Sequence, residues 1–466
     1  MANVGDKKTM YGRQFVYNGT GWVPVEVYAR HGYSDGETIK TVKEIEDMIK
    51  IYSNYSQIYG VERRRDVADP TFTTLIGSSE LHSRLPLHNN IKNCLVNKSR
   101  QVVKYLSPTN WNYDINGNSV LLDGTDGNDV MVEYPECWAI FGGSDPTYER
   151  WIVSPGPFVY GNDIAIHINR YVDAADNCTL DRTTGESRCI RSTNSNFAGS
   201  GSGATAGGVG YARTSLSRYA YEIAADAKGT KWKASYYRDL MMLMCYMFIE
   251  YRTKNLKTIF GNPSNWNSTE WSNYNGYYPV IKILDVQIAL SGRSDIVSKG
   301  HLTGTADFTF SNGKTTTFHC YRGKSNLWGH LWNWISGIDL EIQADANGGN
   351  SNVYLTNNPD LIDANRSNSS FAFKDVYKFA GKATRSSGWI KDIIQDSHVA
   401  NTVGGAETTY GCAYWWSSIP ASGVERRGLI CGARLNIGAN AALGSVSNDA
   451  PSNTSTTLGG GFRADL

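Results

Sequence analysis

The sequence lacks the patterns that carry most enzyme chemistry. Its eight cysteines, Cys94, Cys137, Cys178, Cys189, Cys245, Cys320, Cys412 and Cys431, form no C-x-x-C pair, and no histidine lies at zinc spacing from one. Its eight histidines show no H-E-x-x-H or H-x-H spacing, so a metal centre has no support from motifs and no cofactor is expected. A G-x-S-x-G elbow, a P-loop and a strand followed by G-x-G-x-x-G are also missing. Neither sign of charge is in excess: 45 Lys and Arg face 44 Asp and Glu. That balance makes no electrostatic case for nucleic acid or an anionic membrane. No apolar run approaches the length of a spanning helix, so membrane insertion is not expected. The opening MANVGDKKTMYGRQ has no apolar segment of the secretory kind, which predicts folding in a cytoplasm with free thiols as the default. Cys178 and Cys189 bracket a polar loop, and their pairing after release stays open.

What is present in abundance is aromatic. The 28 Tyr and 13 Trp exceed the needs of a core and suit a binding or assembly protein. At 466 residues, two or three domains are expected. Tyr11 to Val27 alternates around Asn18-Gly19 and reads as a hairpin. Thr38 to Tyr55 carries Val42, Ile45, Ile49 and Tyr52 at helical spacing. Val130 to Phe141 reads as a strand. Thr214 to Ala227 and Lys231 to Tyr251 read as helices, the second with a Met-rich stripe suited to burial against a sheet. Asn194 to Gly210 resembles a long surface loop. Ser311 to Lys314 is a hairpin turn. Around Trp328, Trp332 and Trp334, three glycines, Gly323, Gly329 and Gly337, predict close aromatic–glycine packing.

Possible chemistry is sparse. Glu133 and Glu136 suggest a carboxylate pair, but their spacing on a strand puts them on opposite faces. Asp173 and Asp176 beside Asn177 read as a solvated polar loop, since a calcium loop's Gly turn and closing Glu are missing. Cys412 and Cys431 read as buried structural cysteines, with a thiol pair as the alternative.

The stretch from Cys431 to Leu466 is built from small and polar residues, and from Gly432 on it holds no Lys, Glu, Gln, Met or Trp. Such a composition alone favours disorder, but the neighbouring Tyr414-Trp415-Trp416 and the closing Gly459 to Arg463 predict packed structure carrying a polar face. YRGKSNLWGHLWNWISGI resembles the Trp- and Gly-rich core of C-type lectin-like and formylglycine-generating-enzyme-like domains. YPECWAIF and the helix ending at Tyr251 resemble the front half of that domain in phage adhesins. Gly432 to Ala441, Asn448 to Asn453 and Gly461 to Arg463 resemble the variable region of diversity-generating retroelement targets, the lectin-like tail proteins related to the major tropism determinant. In that family, replacing the adenines of Asn codons yields many residues but never those five. The resemblance covers about residues 60 to 466 and departs from the pattern at Ala433, usually Gly, and Leu435, usually Trp. No EPN, QPD or WND triplet occurs, so calcium-dependent sugar binding is not implied.

The resulting expectation is an α+β chain with a C-type lectin-like C-terminal domain of short antiparallel sheets, two helices and long loops. Residues 1–60 form an N-terminal attachment or oligomerisation region, 61–130 a small β-rich connecting domain and 131–466 the lectin-like domain. The resemblance implies a bacteriophage virion protein, a tail or head fibre assembled in the bacterial cytoplasm. On that resemblance it is expected to be no enzyme and to bind a host cell-surface polysaccharide or protein. Its ligand face comprises Tyr414, Trp415, Trp416, Arg434, Asn436, Ile437, Asn440, Ser445, Ser447, Asn453 and Thr456. Other virion proteins are contacted through the N-terminal region, and a homotrimer is expected because repetition strengthens weak sites. Two alternatives stay open: a purely structural virion decoration, and an oxidase of the formylglycine-generating type using Cys412 and Cys431.

Overall fold

Short runs of alternating or continuous apolar residues become strands, and sheets dominate the architecture. The computed structural model describes residues 7–10, 13–17, 22–24, 55–190, 197–198, 212–261, 303–309, 315–325, 327–362, 371–455 and 457–466. Among these residues the protein is mostly β with few helices, consistent with the broad α+β expectation. No described helix is long and apolar enough to cross a membrane.

Three sheets form the body. The first has five strands in the order Ile166–Ile168, Cys137–Gly142, Tyr148–Ser154, Tyr59–Arg64 and Thr74–Ile76. The second has six: Trp232–Ala234, Phe462–Asp465, Tyr171–Ala174, Asp129–Tyr134, Lys92–Val96 and Val102–Tyr105. The third runs Lys378–Lys382, Ser351–Leu355, Trp332–Gln343, Val424–Cys431, Val446–Asp449, Tyr414–Trp416, Gly388–Ile393 and Ala400–Val403, with Leu458–Gly459 parallel to Trp332–Gln343. The expected segment boundaries after residues 60 and 130 fall inside strands Tyr59–Arg64 and Asp129–Tyr134, and Lys92–Val96 pairs with Asp129–Tyr134. One hydrophobic core joins residues of all three sheets.

The single strand expected over Val130 to Phe141 is two strands in two sheets. Pro135, which has no N–H for a ladder, lies at the break. The N-terminal hairpin is present as antiparallel Arg13–Tyr17 and Trp22–Pro24, while the helix expected over Thr38 to Tyr55 lies outside the described residues. So does most of the loop expected over Asn194 to Gly210. The strands on either side of the turn expected at Ser311 to Lys314, Gly304–Thr309 and Thr315–Tyr321, pair antiparallel, and the turn itself lies outside the described residues.

Helix Arg218–Asp226 starts where the Ser217 hydroxyl accepts from the Ala220 N–H, satisfying one of the free donors of the first turn. Helix Tyr237–Tyr251 is buried throughout from Tyr237 to Ile249. It is wedged between the five-stranded sheet and the long strand Trp332–Gln343. Its methionines are therefore core. The long strand bulges between Ile335 and Asp339, and Gly337 sits in the bulge at φ +81°. A Cβ there would lie 2.3 Å from the Tyr236 ring. The aromatic pressed against this glycine is thus Tyr236, ahead of the helix, while Trp328 instead stacks on His319 at 4.2 Å.

Candidate functional site

A strand presents alternate residues to opposite faces, and this rule sorts the aromatic triplet. Trp415 points into the core: it is fully buried, and its indole N–H donates to the Thr384 carbonyl at 3.1 Å. Tyr414 and Trp416 face the other way and are half-buried. Sheet register then extends this face sideways. Trp389 lies opposite Tyr414, and Ser447 lies beside Trp416. The rings form a continuous row: Trp389 to Tyr414 at 5.1 Å, Tyr414 to Trp416 at 4.6 Å, and Trp416 to Trp332 at 5.2 Å between centroids. Trp389, Tyr414 and Trp416 keep part of their surface exposed, while Trp332 closes the row from below.

The turn Leu435–Asn440 borders this row. Ser445 holds it there. The Ser445 hydroxyl donates to the Asn440 carbonyl at 2.8 Å and accepts from the N–H groups of Tyr414 and Ala442, each at 3.0 Å. At 0 % exposure Ser445 is a fastener beneath the face. Lys257 ties the other side: its ammonium bonds the Ala439 carbonyl, lies 3.4 Å from Glu407, and sits 5.5 Å from the Trp389 ring centroid. That placement adds a cation–π contact at the end of the row.

The expected ligand residues divide accordingly. Tyr414, Trp416 and Ser447 share one face at the row, with Ile437 and Asn440 half-buried in the adjoining turn. Ile437 packs against the core. Arg434 is half-buried, and burial pulls its guanidinium below the usual arginine value. Asn453 spends its amide on Asp449 at 2.8 Å. The Asn436 side chain and Thr456 lie outside the described residues. Trp415 and Ser445 are removed from the ligand face, because burial takes them from solvent and their polar atoms are bonded within the protein. Trp389 and Trp332 were missed as members of the row. The signal for Trp389 was an aromatic in a short alternating strand, but the neighbouring strand that puts it beside Tyr414 is not local in sequence.

The other sequence candidates resolve separately. Glu133 is bonded to Arg170 at 2.8 Å and Tyr105 at 2.9 Å, whereas Glu136 pairs with His167 at 2.7 Å. Asp173, Asp176 and Asn177 are buried, which corrects the expected solvated loop. They line a small cavity of about 60 Å³ with Asp239, Lys324 and Cys431. Two of its acids are ion-paired: Asp173 with Lys324 at 2.7 Å and Asp239 with Arg463 at 2.9 Å. Among the described residues no group of three or more His, Cys, Asp or Glu is placed to hold a metal ion. Burial pushes the Cys431 thiol up to about 12 and raises Cys412 as well, the opposite of the thiolate character a reactive cysteine needs.

Compared with protein-family models and with curated proteins, the chain matches none.

Proposed function

We propose that this protein is a lectin-like virion fibre or tail protein that attaches a phage to its host, with the row Trp389–Tyr414–Trp416 as the platform for a surface polysaccharide. The observation that carries this reading is the row itself, since three partly exposed rings in contact offer apolar area with little side-chain entropy to lose. Ser447 and Asn440 at its edge supply hydroxyl and amide groups for sugar hydroxyls. The backbone at Ala433 adds support for the resemblance to retroelement targets. It takes φ +64°, in the left-handed region that favours glycine, where that pattern has Gly. Each site is expected to be weak, and repetition in a trimer would raise the avidity.

The test is binding of the full chain to host cells and to isolated surface polysaccharide. Trp416→Ala and Tyr414→Ala, each verified as folded by its melting curve, are expected to weaken binding at least about tenfold, or ~1.4 kcal/mol. Glu80→Ala, on the exposed face of helix Ser79–Arg84, should leave it unchanged. Unaltered attachment by both aromatic variants would remove the platform and favour a purely structural role in the particle.

A further inference from the structure

The hairpin between Thr179–Asp181 and Ser187–Arg188 places two cysteines at its open end. Thr179 lies opposite Arg188 and Leu180 opposite Ser187. The Asp181 N–H donates to the Glu186 carbonyl at 2.8 Å, so 181/186 is a hydrogen-bonded pair. Bonded and non-bonded pairs alternate along an antiparallel ladder. Hence 179/188 is bonded, and the next step, Cys178 opposite Cys189, falls on a non-bonded position. The backbone groups agree, because at this step they turn outward to other segments. The Cys178 N–H donates to Gly460 at 3.1 Å and its carbonyl accepts from Arg213 at 2.6 Å, while the Cys189 carbonyl accepts from Val130 at 2.6 Å. The Cys189 N–H donates to the Asp129 carboxylate at 2.8 Å.

Non-bonded pairs are the narrow ones, with facing Cα atoms about 4.5 Å apart. That separation lies within the range of about 4.4–6.8 Å that a disulfide spans. Opposed residues also share a face, and both side chains are buried in the core. Cysteines on other strands face different residues: Cys94 faces Met131 and Tyr105, Cys137 faces Ile168, Cys320 faces Gly304 and Ser325, and Cys431 faces Asn333 and Val446.

We infer that Cys178 and Cys189 are a disulfide-forming pair that closes after the protein leaves a reducing compartment, locking the hairpin to the segments at Val130, Arg213 and Gly460. All eight cysteines are free in this structure. The oxidant is a small disulfide of the glutathione class. One cysteine thiolate attacks it, giving a mixed disulfide and releasing one thiol. The second cysteine then displaces the other thiol. Two S–H bonds are replaced by one protein S–S bond, and the two electrons and two protons leave on the two released thiols. Burial pushes the Cys189 thiol up to about 12, so closure is slow at neutral pH and leaves the protein reduced during folding. The inference does not depend on the ligand face.

The test uses the full chain incubated with oxidised glutathione at pH 8, then denatured, blocked with N-ethylmaleimide and cut with trypsin without reduction. Arg182 and Arg188 lie between the cysteines, so only a disulfide keeps the two peptides together. One linked pair containing Cys178 and Cys189, released by reductant, is expected, with the other six cysteines blocked. Maleimide on both residues after days of oxidation, or linkage of either to another cysteine, overturns the inference. The oxidised chain should melt a few degrees above the reduced one. That difference should vanish in Cys189→Ala, or in Cys178→Ala if only that variant folds. A difference that persists in these variants also counts against the pair.

Discussion

Replacing Asp339 with alanine is expected to cost about 3–5 kcal/mol of folding stability, which in many chains would abolish the native state. Asp339 lies just beyond the bulge in the long strand and is almost fully buried. Its carboxylate receives the Arg218 guanidinium at 2.7 Å and the Arg426 guanidinium at 2.9 Å and 3.1 Å. Arg218 also donates to the Ile338 carbonyl at 3.1 Å and lies 3.5 Å from Glu222. Arg426 lies over the Phe373 ring at 5.0 Å. This one carboxylate therefore couples helix Arg218–Asp226 to two neighbouring strands. Removing it takes the shared carboxylate from two buried cations, with Glu222 staying beside Arg218, and the cost comes from the charge left behind rather than from the attraction lost. Chemical denaturation of Asp339→Ala against the parent measures it. A loss below about 1 kcal/mol would mean that the guanidiniums relax to water, and the coupling role would be wrong. The double variant Asp339→Leu with Arg426→Met should recover part of the loss, since it replaces the broken pair with apolar packing.

Mild acid is the second large perturbation. Burial holds His88 and His319 down to about 3 and His398 down to about 4, and it carries His330 in the same direction. In the unfolded chain these imidazoles titrate near 6.5. Below that value the unfolded state takes up protons that the folded state refuses. Their contribution is therefore complete above about pH 6.5 and declines as pH falls toward the folded values. Three carboxyl groups act in the opposite sense, Glu222 among them, its carboxyl raised by burial. Burial raises Asp239 to about 7, against the pull of Arg463, and Asp396 to about 6. All three are protonated in the fold before they are in the unfolded chain, so they add stability as pH drops from 7 toward 4. With His82, which burial also holds down, five imidazoles outweigh three carboxyls. The net loss between pH 7 and 4.5 is on the order of a few kcal/mol, since each tenfold change in a group's proton affinity on folding is worth about 1.4 kcal/mol. Denaturant midpoints across that range check it, and a flat or rising profile from pH 6.5 to 4.5 would contradict the assignment. His319→Phe, which keeps a ring against Trp328, should make the profile less steep.

Both predictions rest on side chains that sequence could not pair. Arg218 and Asp339 are 121 residues apart, and Arg463 meets Asp239 across more than two hundred. Local pattern does mark helices and hairpins, because their hydrogen bonds close within a few residues. The apolar run of helix Tyr237–Tyr251, the pairing of the strands that flank Ser311 to Lys314 and the order of the C-terminal stretch were legible. Phe462 and Arg463 do close that stretch: they are buried in a strand between Trp232–Ala234 and Tyr171–Ala174. Their partners were not visible, since strand pairing is chosen by distant segments.

The aromatic row shows the same division within a few residues. Sequence alone marked Tyr414, Trp415 and Trp416 as an aromatic run in packed structure, and it put all three on one face. It also determined that no motif assigns a metal or nucleophile to the chain. Only the tertiary structure made that run a strand and buried its middle ring, brought Trp389 beside Tyr414 and the buried Trp332 against Trp416, and turned Ser445 into an internal fastener. The physical reason is that alternation defines two faces but not their surroundings. Burial of one face is set by the elements packed on it, and those come from parts of the chain that local spacing does not connect.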